Sequence, residues 1–98
     1  MAIFAVTYTY APDSAAARDE HRPVHREYLG VLSAQGVNLC SGPWGTEEEP
    51  GALLLFRADS KEEALALAEK DPFHIQGLIT RIGVREWIPV MGPLAEHL

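Results

Sequence analysis

Residues 2–10 (AIFAVTYTY) alternate, placing Phe4, Val6, Tyr8 and Tyr10 on one side of an extended chain and Ile3, Ala5 and Thr7 on the other. That two-residue period predicts a β-strand, bounded by the turn cluster Ala11-Pro12-Asp13-Ser14. From Ser14 to Gln35 the period is helical, and Gly36 supplies a C-terminal stop. Pro23 interrupts this stretch and leaves two readings: two short helices meeting between His21 and Pro23, or one helix kinked there. Residues 37–42 (VNLCSG) predict a short strand, and Pro43 to Gly51 a loop with the solvated run Glu47-Glu48-Glu49. Residues 52–58 (ALLLFRA) predict a third strand. Ser60 with Glu63 three positions later is a capping box, opening a helix to about Lys70. Asp71-Pro72 breaks the chain, a helical turn runs to Gly77, and residues 78–88 predict a last strand.

The order β-α-β-β-α-β is the split, ferredoxin-like α+β arrangement: a four-stranded antiparallel sheet with two helices on one face. All 98 residues fit one domain. The uncovered face raises a difficulty. In the third strand Leu53 and Leu55 oppose Leu54 and Phe56, so neither side is cleanly polar, whereas a sheet wetted on one side should alternate. A second copy packing sheet to sheet would cover it, and the expectation is a homodimer through the open sheet face.

Charge and composition narrow the function classes. The net charge is −6, with 22% charged and 47% hydrophobic residues. A nucleic-acid partner is not expected, because phosphate binding needs clustered Lys and Arg. No apolar run approaches the roughly 18 residues of a membrane span, and the first ten residues lack a positive n-region and a cleavage site. A single cysteine, Cys40, excludes an internal disulfide and suits a reducing compartment. The expectation is a cytoplasmic protein with no membrane partner and with Cys40 buried in its strand.

Candidate chemistry centres on the histidines His21, His25, His74 and His97. His97 is expected to fray with the C-terminus. His25, four and seven positions before Leu29 and Leu32, lies on the apolar stripe of its helix and points inward. Such a histidine is either a satisfied core residue or a proton carrier. Asp71 ends the second helix and precedes a proline, where it could simply cap the next helical turn. Antiparallel helices on one sheet face, however, bring the start of the first beside the end of the second. His25 and Asp71 could therefore meet, and a carboxylate on one ring nitrogen fixes the tautomer and leaves the other nitrogen to act as base or acid. His21 and His25 have the spacing of a zinc half-site, but no further ligands accompany them, so no metal is expected. No Gly-rich nucleotide loop is present either, so no cofactor is expected. Nothing near Cys40 suggests an activated thiol. Ser41-Gly42-Pro43 could offer backbone donors or a hydroxyl to a pocket, or be only a turn.

Arg22-Pro23-Val24-His25, Tyr28-Leu29, Gly36, Ser41-Gly42-Pro43, Asp71-Pro72-Phe73 and Gly77-Leu78 together resemble the YciI-like (YCII-related) family, from the first strand to Glu86-Trp87. The resemblance implies a ferredoxin-like fold that dimerises into an α/β barrel, and a site centred on His25 and Asp71 with Arg22 and Gly42-Pro43 nearby. A dehydrochlorinase among such proteins suggests acid/base elimination, and related barrels include muconolactone isomerases and small monooxygenases. His21 and His74 depart from the commoner family pattern. The resulting expectation is a pocket between helices and sheet for a small organic ligand. In it His25 moves a proton, Asp71 orients it and Arg22 holds an anionic group. Tyr28 and Phe73 form walls, and Ser41, Gly42, Pro43 and His74 complete the contacts. The competing expectation is a non-catalytic binding or structural module.

Overall fold

The computed structural model describes residues 1–98. Its sheet runs β2 (Asn38–Pro43), β3 (Gly51–Ala58), β1 (Ala2–Tyr10), β4 (Ile79–Trp87), with every neighbouring pair antiparallel. Three α-helices connect the strands: α1 (Ala15–Ala34), α2 (Lys61–Glu69) and the four-residue α3 (Pro72–Ile75). This is the ferredoxin-like α+β arrangement, and the predicted boundaries shift by only a residue or so.

The alternation in β1 and β3 sorts their side chains. Register pairs Phe4 with Phe56, Val6 with Leu54 and Tyr8 with Ala52, and all six are buried under the helices. Leu29 and Leu32 of α1, Ala64 and Ala68 of α2, and Phe73 of α3 close the same cluster. The two alanines are fully buried and let α2 lie close to the sheet. The predicted outer face is real but less covered: Leu53 and Leu55 are half-buried and Thr7 is exposed.

Pro23 does not divide the chain. One helix of 20 residues passes through it, even though proline has no N–H to return to the Asp19 carbonyl. Gly36 ends α1 at φ 75°, with Gly36 N–H donating to Ser33 O and Val37 N–H to Leu32 O, a Schellman stop. Gly77 ends α3 in the same way, with Leu78 N–H donating to Phe73 O. At the start of α2 the Ser60 hydroxyl accepts the Glu63 N–H at 3.1 Å, one half of the predicted capping box.

Two expectations need correction. Cys40 is exposed, not buried. It sits on the edge strand β2 opposite Leu55, which turns it toward the face that carries no helix. The C-terminus does not simply fray: Pro93–His97 form a 3₁₀ turn, and the Leu98 carbonyl accepts a hydrogen bond from Arg57 at 3.3 Å. No helix is long and apolar enough to cross a membrane.

Candidate active site

Asp71 is both the cap and the partner that its position allowed. Its extended backbone (φ −60°, ψ 130°) suits a residue before proline, and its Oδ1 accepts the Phe73 N–H at 2.9 Å, starting α3. The side chain is fully buried. Burying a carboxylate costs several kcal/mol unless donors replace its water. Here three do so: the Phe73 N–H, the Tyr8 hydroxyl, which donates to Oδ2 at 2.9 Å, and the His25 ring.

His25 reaches Asp71 from α1, its Nδ1 lying 2.8 Å from Oδ1 and 3.0 Å from Oδ2. A carboxylate only accepts, so Nδ1 carries the proton, and in the neutral ring the lone pair is on Nε2. Nε2 has no hydrogen-bond partner in the protein and is not sealed off, the side chain being 13% exposed. The ring stacks on Phe73 with centroids 3.8 Å apart and planes 1° from parallel. Phe73 in turn meets Tyr10 edge-on at 5.8 Å, and the Arg18 guanidinium covers the Tyr10 ring at 4.3 Å.

Beside His25 opens a cavity of about 400 Å³. Its walls are one face of α1 (Arg18, Arg22, His25, Arg26, Leu29, Gly30, Ser33), the β2 positions Asn38, Ser41, Gly42 and Pro43, and Tyr10, Ala52, Leu54 and Phe73. Of the residues singled out from sequence, Arg22, His25, Ser41, Gly42, Pro43 and Phe73 share this cavity, and Asp71 lies behind His25. Two do not line it. The Tyr28 hydroxyl donates to the Leu67 carbonyl at 2.6 Å, tying α1 to α2. His74 lies outside the lining, with its Nδ1 buried and unpaired. Phe73 and not His74 faces His25, because successive residues of a helical turn point about 100° apart. No three His, Cys, Asp or Glu side chains gather as a metal-ligand set.

Tyr8, Arg18, Arg26 and Asn38 were missed. Arg18 and Arg26 carried a signal, since each is four positions from Arg22 on a helix. Tyr8 carried none: its partner is 63 residues away. Burial, with the nearby Asp71 charge, pushes the Tyr8 hydroxyl far above its usual 10.0, so it is a permanent donor. Burial also raises Tyr10 and Tyr28. The exposed Asp19 is held below the usual carboxylate range by its hydrogen bond from Arg22 and by the Arg22 charge.

Residues 2–88 match the YCII-related domain. The chain belongs to that family. Among solved structures, this YCII-related protein is similar to 5-chloro-2-hydroxyhydroquinone dehydrochlorinase (TftG) from Burkholderia phenoliruptrix AC1100, solved in complex with 2,5-dihydroxybenzoquinone. The two share 28% identity and a TM-score of 0.74 over 87% of this chain and 92% of that one. A NIPSNAP domain protein from Burkholderia xenovorans (17% identity, TM-score 0.53, 92% and 95% covered) shares the fold. So does an antibiotic biosynthesis monooxygenase (11% identity, TM-score 0.51, 91% and 100% covered). No curated protein sequence is similar enough to count as a relative.

Proposed function

We propose that this YCII-related protein is a small-molecule enzyme of lyase or isomerase type, in which His25 is the general base and acid. Nε2 takes a proton from a bound organic molecule. In an elimination a leaving group then departs with its bonding pair; in an isomerisation the proton returns at another atom. Asp71 holds the imidazole in the tautomer that keeps Nε2 available and stabilises the imidazolium formed. Arg22 holds an anionic group, and Phe73 fixes the ring plane. The observation that carries this reading is the asymmetry of His25: one nitrogen is clamped by a buried carboxylate and the other is left without a protein partner beside a cavity. A merely structural histidine would have both nitrogens satisfied inside the core. The similarity to a dehydrochlorinase supports elimination over redox chemistry.

The same reading includes a homodimer working in the cytoplasm. On the open sheet face, Cys40, Trp44, Leu53 and Leu55 border an apolar hollow of about 250 Å³, which a second sheet would cover.

The test is ¹⁵N NMR of the His25 ring together with turnover of chlorinated hydroxyhydroquinones, in the native protein and in Asp71→Asn and His25→Ala. Expected are an Nδ1-protonated neutral ring that changes tautomer in Asp71→Asn, and a rate loss of about 10²–10⁴ in His25→Ala. A His25→Ala variant that folds and turns over the same substrate at the native rate would overturn the assignment.

A further inference from the structure

The cavity has a charge pattern opposite to that of the chain. The protein carries −6, yet no aspartate or glutamate lines the cavity, and three arginines do. Arg18, Arg22 and Arg26 follow each other at four-residue steps along α1, so they form one stripe down a single wall. One sign of charge gathered in a concave site with apolar walls focuses its field on whatever enters. The three are held differently. Arg18 is fixed, with Nε donating to Ser14 Oγ at 3.0 Å and its guanidinium over Tyr10. Arg22 pairs with the exposed Asp19. Arg26 has no ion-pair partner.

The wall formed by β2 and the end of α1 is neutral and rich in hydrogen-bonding groups. Asn38 Nδ2 donates to Ser33 Oγ and to Ser41 Oγ, both at 3.1 Å. Asn38 is 9% exposed, and its Oδ1 is buried with no partner. The Ser33 hydroxyl spends its proton on the Leu29 carbonyl, whereas that of Ser41 donates to no group of the protein. A buried acceptor without a partner is costly unless a group from outside the chain completes it, and the exposed Ser41 hydroxyl beside it is free to donate.

We infer that the cavity is specific for small hydroxylated organic anions: a carboxylate or ionised phenol held by Arg18, Arg22 and Arg26, with a hydroxyl that donates toward Asn38 Oδ1 and accepts from Ser41. The inference rests on the reading of this cavity as the substrate site, and it names Arg26, Asn38 and Ser41 as residues that set specificity.

The experiment is calorimetric titration with 2,5-dihydroxybenzoate, benzoate and hydroquinone. It uses the native protein and the variants Arg26→Gln, Ser41→Ala, Asn38→Ala and His25→Ala. Expected is binding of 2,5-dihydroxybenzoate about tenfold tighter than either probe that lacks one of its features. Arg26→Gln weakens the two acids about tenfold and spares hydroquinone. Ser41→Ala and Asn38→Ala remove the advantage of the dihydroxy acid over benzoate and leave benzoate unchanged. Ser41 is exposed, so its variant keeps the test sharp even if loss of Asn38 unfolds the chain. Hydroquinone binding as tightly as the acid, uniform losses for all three probes, or no binding by any of them overturns the inference. His25→Ala separates the two proposals. If the ranking survives there while the native protein transfers no proton, the catalytic reading fails and the specificity stands. If uncharged phenols are turned over and the acids do not bind, the reverse holds.

Discussion

Asp71 is where the local and the long-range demands on this chain meet. Its place before Pro72 would give it a capping role in almost any fold, and it does cap α3. Only the tertiary structure adds Tyr8 and His25 as further donors. These contacts act as a unit, because each donor offsets part of the cost of one buried charge. Tyr8→Phe is therefore expected to destabilise the fold by about 1–3 kcal/mol in urea titrations, since a buried carboxylate loses a donor. It should leave the His25 tautomer unchanged, because the Nδ1 contact does not pass through Tyr8. Asp71→Asn should do the opposite to the ring: an amide that turns its NH₂ toward Nδ1 favours the Nε2-protonated form. An Asp71→Asn spectrum with the native tautomer would show that something else holds His25.

Among the helices, α1 departs furthest from local propensity. Proline in a helix interior costs about 3 kcal/mol, yet α1 continues past Pro23 because Leu29 and Leu32 bury against the sheet and the Schellman stop at Gly36 fixes its end. Pro23 is exposed, so Pro23→Ala should restore the missing backbone donor without disturbing the core. The entropy that proline removes from the unfolded chain offsets part of the gain, leaving a net stabilisation of about 2 kcal/mol. A melting temperature that falls in Pro23→Ala would mean that the proline shapes packing beyond its own turn. The cap of α2 should behave conventionally: Ser60→Ala removes the acceptor of the Glu63 N–H and should cost about 1 kcal/mol.

Stability of the molecule as a whole should be lost on the alkaline side. Tyr8, Tyr10 and Tyr28 are all raised above 10.0 in the folded protein, chiefly by burial. Their stabilising contribution is complete below the unfolded value of 10.0. Above it the unfolded chain releases protons that the folded chain keeps, so stability falls as pH rises. A tyrosine kept protonated in the folded chain while the unfolded chain ionises steepens that decline. Urea titrations between pH 9 and 11 should show the decline, and Tyr8→Phe should make it shallower. Association belongs to this level as well. A Leu55→Lys substitution on the open sheet face should convert a dimer to monomer in sedimentation, while the helical face and its cavity stay folded. A native protein that sediments as a monomer would remove the dimer from the proposed function.

Periodicity, caps and breakers laid down the order of elements, the inward and outward faces of β1 and β3, and the ends of each helix, because these depend on residues a few positions apart. The motif from Arg22 to His25 with Asp71-Pro72-Phe73 carried the family for the same reason. The antiparallel run of two helices on one face was enough to bring His25 and Asp71 together. What local pattern could not reach was anything set by distance along the chain. Tyr8 donates across 63 positions, Tyr28 turns from the cavity to the Leu67 carbonyl, and His74 yields its place to Phe73. Cys40 emerges at a sheet edge that only strand order defines. The single helix through Pro23 belongs to the same group: local propensity left its continuity open, and burial of one face against the sheet decided it.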